Sequence, residues 1–242
     1  MSLLVNNVKK AFDTKVVLDE ASFEFEKGKI YGVLGRNGAG KTTLFNCISK
    51  NIEIDEGSIE LIEGEESIDL NYKNVGFVYT IPVLPVFLTG YEFIKFFVEV
   101  NEEYITDLKT IDEYLDMVDI KPEDRHKLIK GYSHGMQNKL QLLCTIIIKP
   151  AVILLDEPLT SFDVVVAHEV KQLLLELKKE HIILMSTHIV QLAKDMCDEL
   201  VILQNGKLTG MKNESESLEE FEAQLIDMLK EEQDNGEIKE DI

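Results

Sequence analysis

A glycine-rich segment, residues 35–42, constrains this chain more than any other feature of its sequence. It reads Gly-Arg-Asn-Gly-Ala-Gly-Lys-Thr and lies between an apolar run, residues 30–34, and a helix-compatible run, residues 43–50. The pattern G-x-x-x-x-G-K-[ST] in this setting is typical of a phosphate-binding loop. Glycines allow φ > 0, so that successive backbone N–H groups and the N-terminal end of a helix can face an anion. A glycine turn without a ligand is the alternative, and the flanking strand and helix argue against it.

The side chains of this segment have separate expected roles. Lys41 offers a positive charge to the β- and γ-phosphates of a nucleotide, and the Thr42 hydroxyl is suited to hold Mg²⁺. The residues expected to surround the phosphates are Gly35, Arg36, Asn37, Gly38, Ala39, Gly40, Lys41, Thr42 and Thr43. The segment therefore predicts a nucleotide site without saying what the nucleotide is used for.

Length and composition predict a globular chain. Its 242 residues, 45% of them apolar, suffice for one large domain or for one domain with a smaller lobe. No apolar run reaches the ~18 residues of a membrane-spanning helix, and the N-terminus lacks the basic segment of a signal peptide. We therefore expect a cytoplasmic protein that reaches a membrane only through a partner. Three cysteines, an odd count, favour buried thiols over disulfides or a metal site.

The net charge of −20 is unevenly distributed along the chain. Residues 213–242 hold 12 acidic and 2 basic side chains, and residues 99–124 hold 10 and 2. A nucleic-acid-binding surface needs clustered Lys and Arg, so we expect no nucleic-acid partner. Solvated helix faces explain both acidic blocks.

The order of the predicted elements indicates an α/β fold. Runs at residues 3–8, 16–26 and 58–62 predict antiparallel strands in a small side sheet. From residue 30 the pattern becomes strand, loop, helix and strand 75–79, which predicts a parallel core. Helical spacing over 90–104 and 108–118 predicts a helical lobe inserted at about 80–149. Its aromatic residues pack in a core, or some of them form a groove for another chain's helix.

Polar residues at the ends of two later strands predict chemistry at one sheet edge. The apolar run 151–155 ends in Asp156 and Glu157, at the position where α/β proteins place their active sites. Asp156 is suited to bind Mg²⁺ through water, and Glu157 to orient and deprotonate an attacking water. A strand at 182–187 brings His188 to the same edge, where it contacts a γ-phosphate or has a structural role.

Two other sites remain open between a structural and a functional interpretation. Ser133 and Gly135 begin a long apolar helix that ends near Pro150, and they form either a helix cap or a second anion-binding terminus. Phe12 lies between the first two predicted strands and is either a core residue or an aromatic that stacks on a base.

Taken in order, these segments resemble those of the ATP-binding subunits of ATP-binding cassette (ABC) transporters over about residues 2–210. Five of the family's motifs have a counterpart here, in the family's order. They are Walker A at residues 35–42, the signature at 133–136, Walker B at 153–157, the D-loop at 160–163 and the switch-histidine segment at 186–188. The resemblance implies a P-loop NTPase of ABC type, with a mostly parallel sheet core, an antiparallel β side sheet and an inserted helical subdomain. It also implies a domain over 1–210, followed by an acidic C-terminal helix and tail over 211–242.

The resemblance further implies an ATPase that uses ATP and Mg²⁺. Phe12 would stack on the adenine. Two cassettes, either two copies of this chain or this chain and a homologue, would pair head to tail, so that Ser133 and Gly135 serve the partner's nucleotide. Closing of the pair on ATP would drive integral membrane permease subunits through their transport cycle. The cassette would then be a peripheral protein on the inner face of the cell membrane.

The sequence departs from the family pattern in two segments. The signature has Tyr132, His134 and Met136 where the family has leucine, glycine and glutamine, a form similar to exporter-type cassettes. The family also has a glutamine after the strand at 75–79 that links Mg²⁺ to the membrane subunit, and here Thr80 takes that place. The Thr80 hydroxyl can hold a metal-bound water, but with a shorter reach.

Two alternatives to a transporter subunit stay open. The first is a soluble ABC-type ATPase that acts in DNA repair, translation or cluster assembly, and the second, raised by Thr80, is a regulatory cassette with weakened hydrolysis. An apolar helical face in the C-terminal segment either docks on the domain or contacts a paired subunit; its residues are Leu218, Phe221, Leu225, Met228 and Leu229.

Overall fold

The computed structural model describes residues 1–158, 164–212, 217, 219–223 and 225. The strands within these ranges are β1 Ser2–Phe12, β2 Lys15–Glu26, β3 Ile30–Leu34, β4 Glu56–Glu63, β5 Glu66–Asp69, β6 Val75–Val78, β7 Val152–Asp156, β8 Ile182–Ser186, β9 Glu199–Gln204 and β10 Lys207–Lys212. The α-helices are α1 Lys41–Ile48, α2 Gly90–Asn101, α3 Ile111–Asp116, α4 Pro122–Arg125, α5 His134–Ile148, α6 Val164–Leu177 and α7 Val190–Met196.

The described strands form two sheets. One has the order β10-β9-β3-β8-β7-β6 and is parallel except for the antiparallel pairing of β10 with β9. The other has the order β2-β1-β4-β5 and is antiparallel. This arrangement confirms the predicted parallel core and antiparallel side sheet.

The central strands are apolar along their whole length because both faces of the core sheet are covered. In β7, Ile153 and Leu155 join an apolar cluster with the helices of the 90–148 segment, whereas Val152 and Leu154 join a second cluster with the side sheet and α1. Successive side chains of a strand point to opposite faces, so each central strand contributes to both clusters. The core sheet is thus covered on both faces, and these two clusters support its carboxyl edge.

Helices occupy the chain between β6 and β7. A capping box starts each of the helices α2 and α3. In α2 the Thr89 hydroxyl accepts from the Glu92 N–H, and the Glu92 carboxylate accepts from the Thr89 N–H. Thr110 and Glu113 form the same pair of bonds in α3. The predicted helix at 108–118 is therefore shorter in the structure, since it begins only after its cap. The predicted helix at 90–104 ends at Asn101 and continues as a 3₁₀ turn. The domain boundaries proposed from sequence stay a prediction.

Some elements had no counterpart in the sequence prediction. Strands β5, β9 and β10 and helix α7 were not predicted. β9 pairs with β3, a partner about 168 positions away in sequence, at Tyr31 and Glu199. β10 pairs with β9 across the two-residue turn at residues 205–206, so only β9 of these two strands depends on a distant partner. The sequence periodicity of a short strand alone cannot show such pairing.

Several smaller predictions can be compared with the structure. The cysteines Cys47, Cys144 and Cys197 all lie within the described residues and form no disulfide, and burial raises the pKa of Cys47 to about 11. Within the described ranges, no helix combines the length and the apolar character needed to cross a membrane.

Phe221 and Leu225 are buried against the helical side of the core, which favours a docked C-terminal segment. Leu218, Met228 and Leu229 lie outside the described residues.

Candidate functional site

The glycine-rich loop runs from β3 into α1, as expected of a phosphate-binding loop. Gly38 and Gly40 have φ of 81° and 107°, conformations that residues with a Cβ rarely adopt. A Cβ on Gly35 would lie 2.6 Å from the backbone oxygen of Leu203, and one on Gly40 would lie 2.6 Å from Val17 Cγ1. The backbone conformation therefore favours glycine at position 38, close packing favours it at position 35, and both conditions apply at position 40.

Lys41 and Thr42, the first residues of α1, face the interior of the loop. The Lys41 ammonium is largely buried and donates to the carbonyls of Gly35 and Arg36, at 2.8 and 3.3 Å. The Thr42 hydroxyl donates to Asp156 Oδ2 at 3.1 Å, across 114 positions of sequence. The structure thus brings the two residue types needed for phosphate and for a metal to one point.

A cleft of about 360 Å³ lies in front of this loop. Phe12 lines it and is 44% exposed, with Lys10 Nζ 5.5 Å from the centre of its ring. Phe12 is therefore not the core residue of the structural alternative, and its exposed ring is available for stacking. The residues that line the cleft are Phe12, Lys15, Val17, Asn37, Gly38, Gly40, Lys41, Thr42, Thr43, Asp156 and Glu157.

Asp156 is the last residue of β7 and is held by three hydrogen bonds. Its Oδ2 accepts from Thr42, its Oδ1 accepts from the Ser186 hydroxyl at 2.5 Å, and its backbone oxygen accepts from the Thr80 hydroxyl at 2.9 Å. Asp156 is only 8% exposed, and the bonds from Thr42 and Ser186 fix the orientation of its carboxylate. Thr80, the residue in the position of the missing glutamine, therefore contacts Asp156 through the backbone.

Glu157 and His188 form a hydrogen-bonded pair at the same edge. His188 Nδ1 lies 3.0 Å from Glu157 Oε1. Glu157 has a φ of 50°, a sparsely populated region for a residue with a side chain. Its N–H donates to the carbonyl and the hydroxyl of Ser186, at 3.2 and 3.0 Å, and these bonds keep the backbone in that conformation. The sheet thus aims the Glu157 carboxylate into the cleft.

Ser133 and Gly135 lie away from this cleft, at the start of α5. Ser133 is exposed and caps the helix by accepting from the Met136 N–H at 3.2 Å. The preceding Tyr132 is buried; its hydroxyl donates to the Asp124 carbonyl at 2.8 Å, and burial raises its pKa. Tyr132 therefore packs in the helical segment as leucine would, and leaves Ser133 at the surface. The predicted D-loop, residues 160–163, lies outside the described residues.

The sequence reasoning missed three residues at or near the site. Lys15 and Val17 line the cleft from β2, but no motif marks them. Gln141, in α5, bonds the backbone of Tyr79 beside Thr80. The only sequence signal for Gln141 is the absence of a glutamine just after β6, where Thr80 stands.

The donor set near the loop suits Mg²⁺. Thr42 and Asp156 offer hard oxygen donors, and Mg²⁺ in nucleotide sites typically takes one or two protein oxygens, with phosphates and water completing its shell. Among the described residues, no cluster of three or more His, Cys, Asp or Glu could hold a metal ion by itself. The assignment of Mg²⁺ to Thr42 and Asp156 stays a proposal.

Gly40→Ala is expected to weaken both the fold and nucleotide binding. Strain at φ 107° costs about 1–3 kcal/mol, and overpacking against Val17 costs about 1–3 kcal/mol more. Gly28→Ala is the matched control, because Gly28 has a φ of 92° and no atom within 4 Å of the added Cβ. Thermal unfolding and ATP titration of both variants test this, and equal melting temperatures would show that the contact with Val17 relaxes.

Comparisons with known proteins agree with this geometry. The sequence profile described as ABC transporter matches residues 18–160. Over 218 residues the chain is 34% identical to the uncharacterized ABC transporter ATP-binding protein YhcH of Bacillus subtilis, covering 87% of this chain and 70% of that one. It is 36% identical over 207 residues to the uncharacterized ABC transporter ATP-binding protein MJ1023 of Methanocaldococcus jannaschii, covering 84% and 74%.

Solved structures with the same fold include the ATP-binding cassette MJ0796, described as a dimer in a post-hydrolysis state with ADP and Pi. The TM-score is 0.75 at 20% identity, covering 88% of this chain and 99% of that chain. At this identity the likeness concerns the fold alone.

Proposed function

Because the chain belongs to the ABC transporter family, as an ATP-binding subunit with ATPase activity, we propose that it pairs with a second cassette around two ATP molecules and thereby powers separate integral membrane permease subunits. The second cassette is another copy of this chain or a homologue. The observation that supports this most directly is the meeting of the loop, Asp156 and the Glu157–His188 pair at one sheet edge.

The residues at this edge suit hydrolysis of the γ-phosphate bond. Lys41 and the loop N–H groups bind the phosphates, and Phe12 stacks on the adenine. Glu157 accepts a proton from the attacking water as the water oxygen bonds to the γ-phosphorus and the bond to the β–γ bridging oxygen breaks, giving ADP and phosphate. His188 orients Glu157 through their hydrogen bond and would contact the γ-phosphate of a bound ATP. Mg²⁺ bound by Thr42 and Asp156 would neutralise charge on the phosphates.

Ser133 and Gly135 are proposed to bind the nucleotide of the second cassette. Ser133 is exposed, and it begins a 15-residue helix whose N-terminal end favours an anion. Because Ser133 does not line the cleft of its own chain, its ligand would come from another molecule. The MJ0796 cassette is described as a dimer, and its likeness in fold supports the same arrangement here.

An apolar groove beside β6 supports a membrane partner. The groove has a volume of about 300 Å³ and lies between β6, α2 and α5. Val83 lines it with 74% of its surface exposed, and Ile81 nearby is 75% exposed. Exposed apolar surface of this kind marks an interaction site, and a groove between helices suits an apolar helix of a permease. This partner would hold the chain at the inner face of the membrane.

Val83→Asp is expected to release the membrane partner. A charge in the groove would be buried without a partner on docking, which is unfavourable, so recovery of the permease with the tagged chain from detergent-solubilised membranes should fall about tenfold or more, equivalent to ~1.4 kcal/mol. Val100→Asp is the control, since Val100 is 60% exposed on α2 but does not line the groove. ATP turnover of either isolated variant should stay within about twofold of the wild type. Equal recovery with both variants would rule out the groove as the docking site.

Two alternatives remain distinguishable by experiment. A soluble ABC-type ATPase would bind DNA or ribosomes in a salt-sensitive manner. The chromosome-type members of that class would need a long coiled-coil insertion between the phosphate loop and the signature segment. Here Lys41 and Ser133 are only 92 positions apart, which leaves no room for one. A regulatory cassette is favoured by Thr80 but opposed by the intact Lys41, Asp156 and Glu157. The direction of transport is proposed as export, on the form of the signature segment.

A further inference from the structure

One side chain joins the helix that begins after Ser133 to the edge of the core sheet. Gln141, in α5, is 7% exposed. Its Nε2 donates to the Tyr79 carbonyl at 3.0 Å, and its Oε1 accepts from the Tyr79 N–H at 3.2 Å. A single amide thus takes both backbone hydrogen-bonding groups of one residue, 62 positions away in sequence.

Tyr79 lies where the sheet needs such support. It follows β6, the edge strand, whose outer side has no neighbouring strand among the described residues. Gln141 provides the pairing that another strand would otherwise give. The Tyr79 ring stacks on Phe77 with centres 4.2 Å apart, and its hydroxyl accepts from Asn51 at 2.9 Å. Backbone, ring and hydroxyl of Tyr79 are therefore all held.

The next residue along the chain connects this point to the candidate metal site. The Thr80 hydroxyl donates to the backbone oxygen of Asp156 at 2.9 Å, and the Asp156 carboxylate accepts from Thr42 at 3.1 Å. Gln141, Tyr79, Thr80, Asp156 and Thr42 thus form one continuous path. Every hydrogen bond in it is 3.2 Å or shorter.

We propose that Gln141 is a positioning residue for Mg²⁺-dependent ATP hydrolysis: it fixes Tyr79 and, through it, the contact of Thr80 with Asp156. The proposal rests on the proposed function, in which Thr42 and Asp156 hold Mg²⁺. Thr80 stands where the family has a glutamine, and its hydroxyl bonds to the Asp156 backbone. Gln141 of α5 holds the preceding residue, Tyr79, and thereby places Thr80 for that bond. Because α5 also begins at the exposed Ser133, movement of this helix in a closing pair would be transmitted to Asp156.

The test compares Gln141→Met with a matched control, Tyr114→Phe. Methionine keeps the length and volume of glutamine but loses both hydrogen bonds. Tyr114 is also buried, and its hydroxyl likewise serves one backbone carbonyl, that of Asp107 at 3.1 Å, and one N–H, that of Lys109 at 3.2 Å. Both variants therefore remove two side-chain bonds to the backbone, but only the first touches the path to Asp156.

Three measurements on the full chain test whether Gln141 positions the segment that contacts Asp156. Without nucleotide, amide hydrogen exchange over residues 75–82 should be about tenfold faster in Gln141→Met than in the wild type. The gain in ATP affinity on replacing EDTA by Mg²⁺ should shrink by about 10-fold to 100-fold, as for loss of a residue that orients a metal ligand. The kcat should fall by a similar factor while ATP affinity in EDTA stays within about twofold. Tyr114→Phe should leave all three within about twofold of the wild type.

The outcomes separate this proposal from the proposed function. If Gln141→Met keeps wild-type exchange and wild-type Mg²⁺ dependence, Gln141 does not position the segment. If Tyr114→Phe changes the Mg²⁺ dependence equally, the effect is general destabilisation and the proposal is also overturned. If the wild type does not hydrolyse ATP, the proposed function fails, while exchange and Mg²⁺-dependent binding still decide the role of Gln141.

Discussion

Replacing Glu157 by glutamine is expected to lower the ATP turnover of the purified chain by roughly 10²–10⁴-fold, the contribution typical of a general base. The amide keeps the shape of the side chain and can still bond to His188, which lies 3.0 Å from the carboxylate. It cannot accept the proton of the attacking water. ATP bound to such a variant would persist, so the chain should also accumulate as an ATP-dependent dimer, as measured by phosphate release and by size-exclusion chromatography in ATP and Mg²⁺.

Glu180→Gln is the control for this change. Glu180 is exposed and pairs with Lys27 at 2.7 Å, just before β8 and therefore at the opposite end of the sheet from the cleft. An exposed ion pair contributes at most about 1 kcal/mol, so turnover should be unchanged. Near-normal hydrolysis by Glu157→Gln would exclude Glu157 as the base. If wild type and variant neither turn over ATP nor dimerise, the regulatory alternative or a required partner becomes the better explanation.

Replacing Lys41 by methionine is expected to raise the dissociation constant for ATP by about 10-fold to 150-fold. A hydrogen bond to a charged group contributes about 1.5–3 kcal/mol, and each ~1.4 kcal/mol corresponds to a factor of ten. The Lys41 ammonium is 2.8 Å from the Gly35 carbonyl and is held by the loop itself, so it is already placed for the phosphates. Titration calorimetry with a non-hydrolysable ATP analogue measures the change.

The matched control is Lys95→Met. Lys95 lies on the exposed face of α2, 3.9 Å from Glu99, and does not line the cleft, so its replacement removes the same charge without touching the loop. A general electrostatic attraction of ATP to the chain would be reduced equally by both substitutions. A dissociation constant for Lys41→Met within twofold of that for Lys95→Met would therefore contradict a direct contact with the phosphates.

The sequence by itself determined the class of fold and the position of the nucleotide loop. Residues 35–42 required a strand before and a helix after, and the structure has β3 and α1 there. The apolar run before Asp156 required a strand covered on both faces, as β7 is. These inferences succeed because a few neighbouring residues carry each signal: glycines at the turn, a continuous apolar run in the covered strand, and helical spacing after the loop. The roles of the individual site residues stay predictions.

Only the tertiary structure decided which distant residues meet. The bond between Thr42 and Asp156 spans 114 positions, and that between Gln141 and Tyr79 spans 62. Lys15 and Val17 reach the cleft because β2 lies beside the loop, and β9 is ordered by pairing with β3. A hydrogen bond between segments far apart in sequence depends on how the sheets and helices pack against each other. The spacing of apolar residues within one segment does not indicate which other segment it will meet.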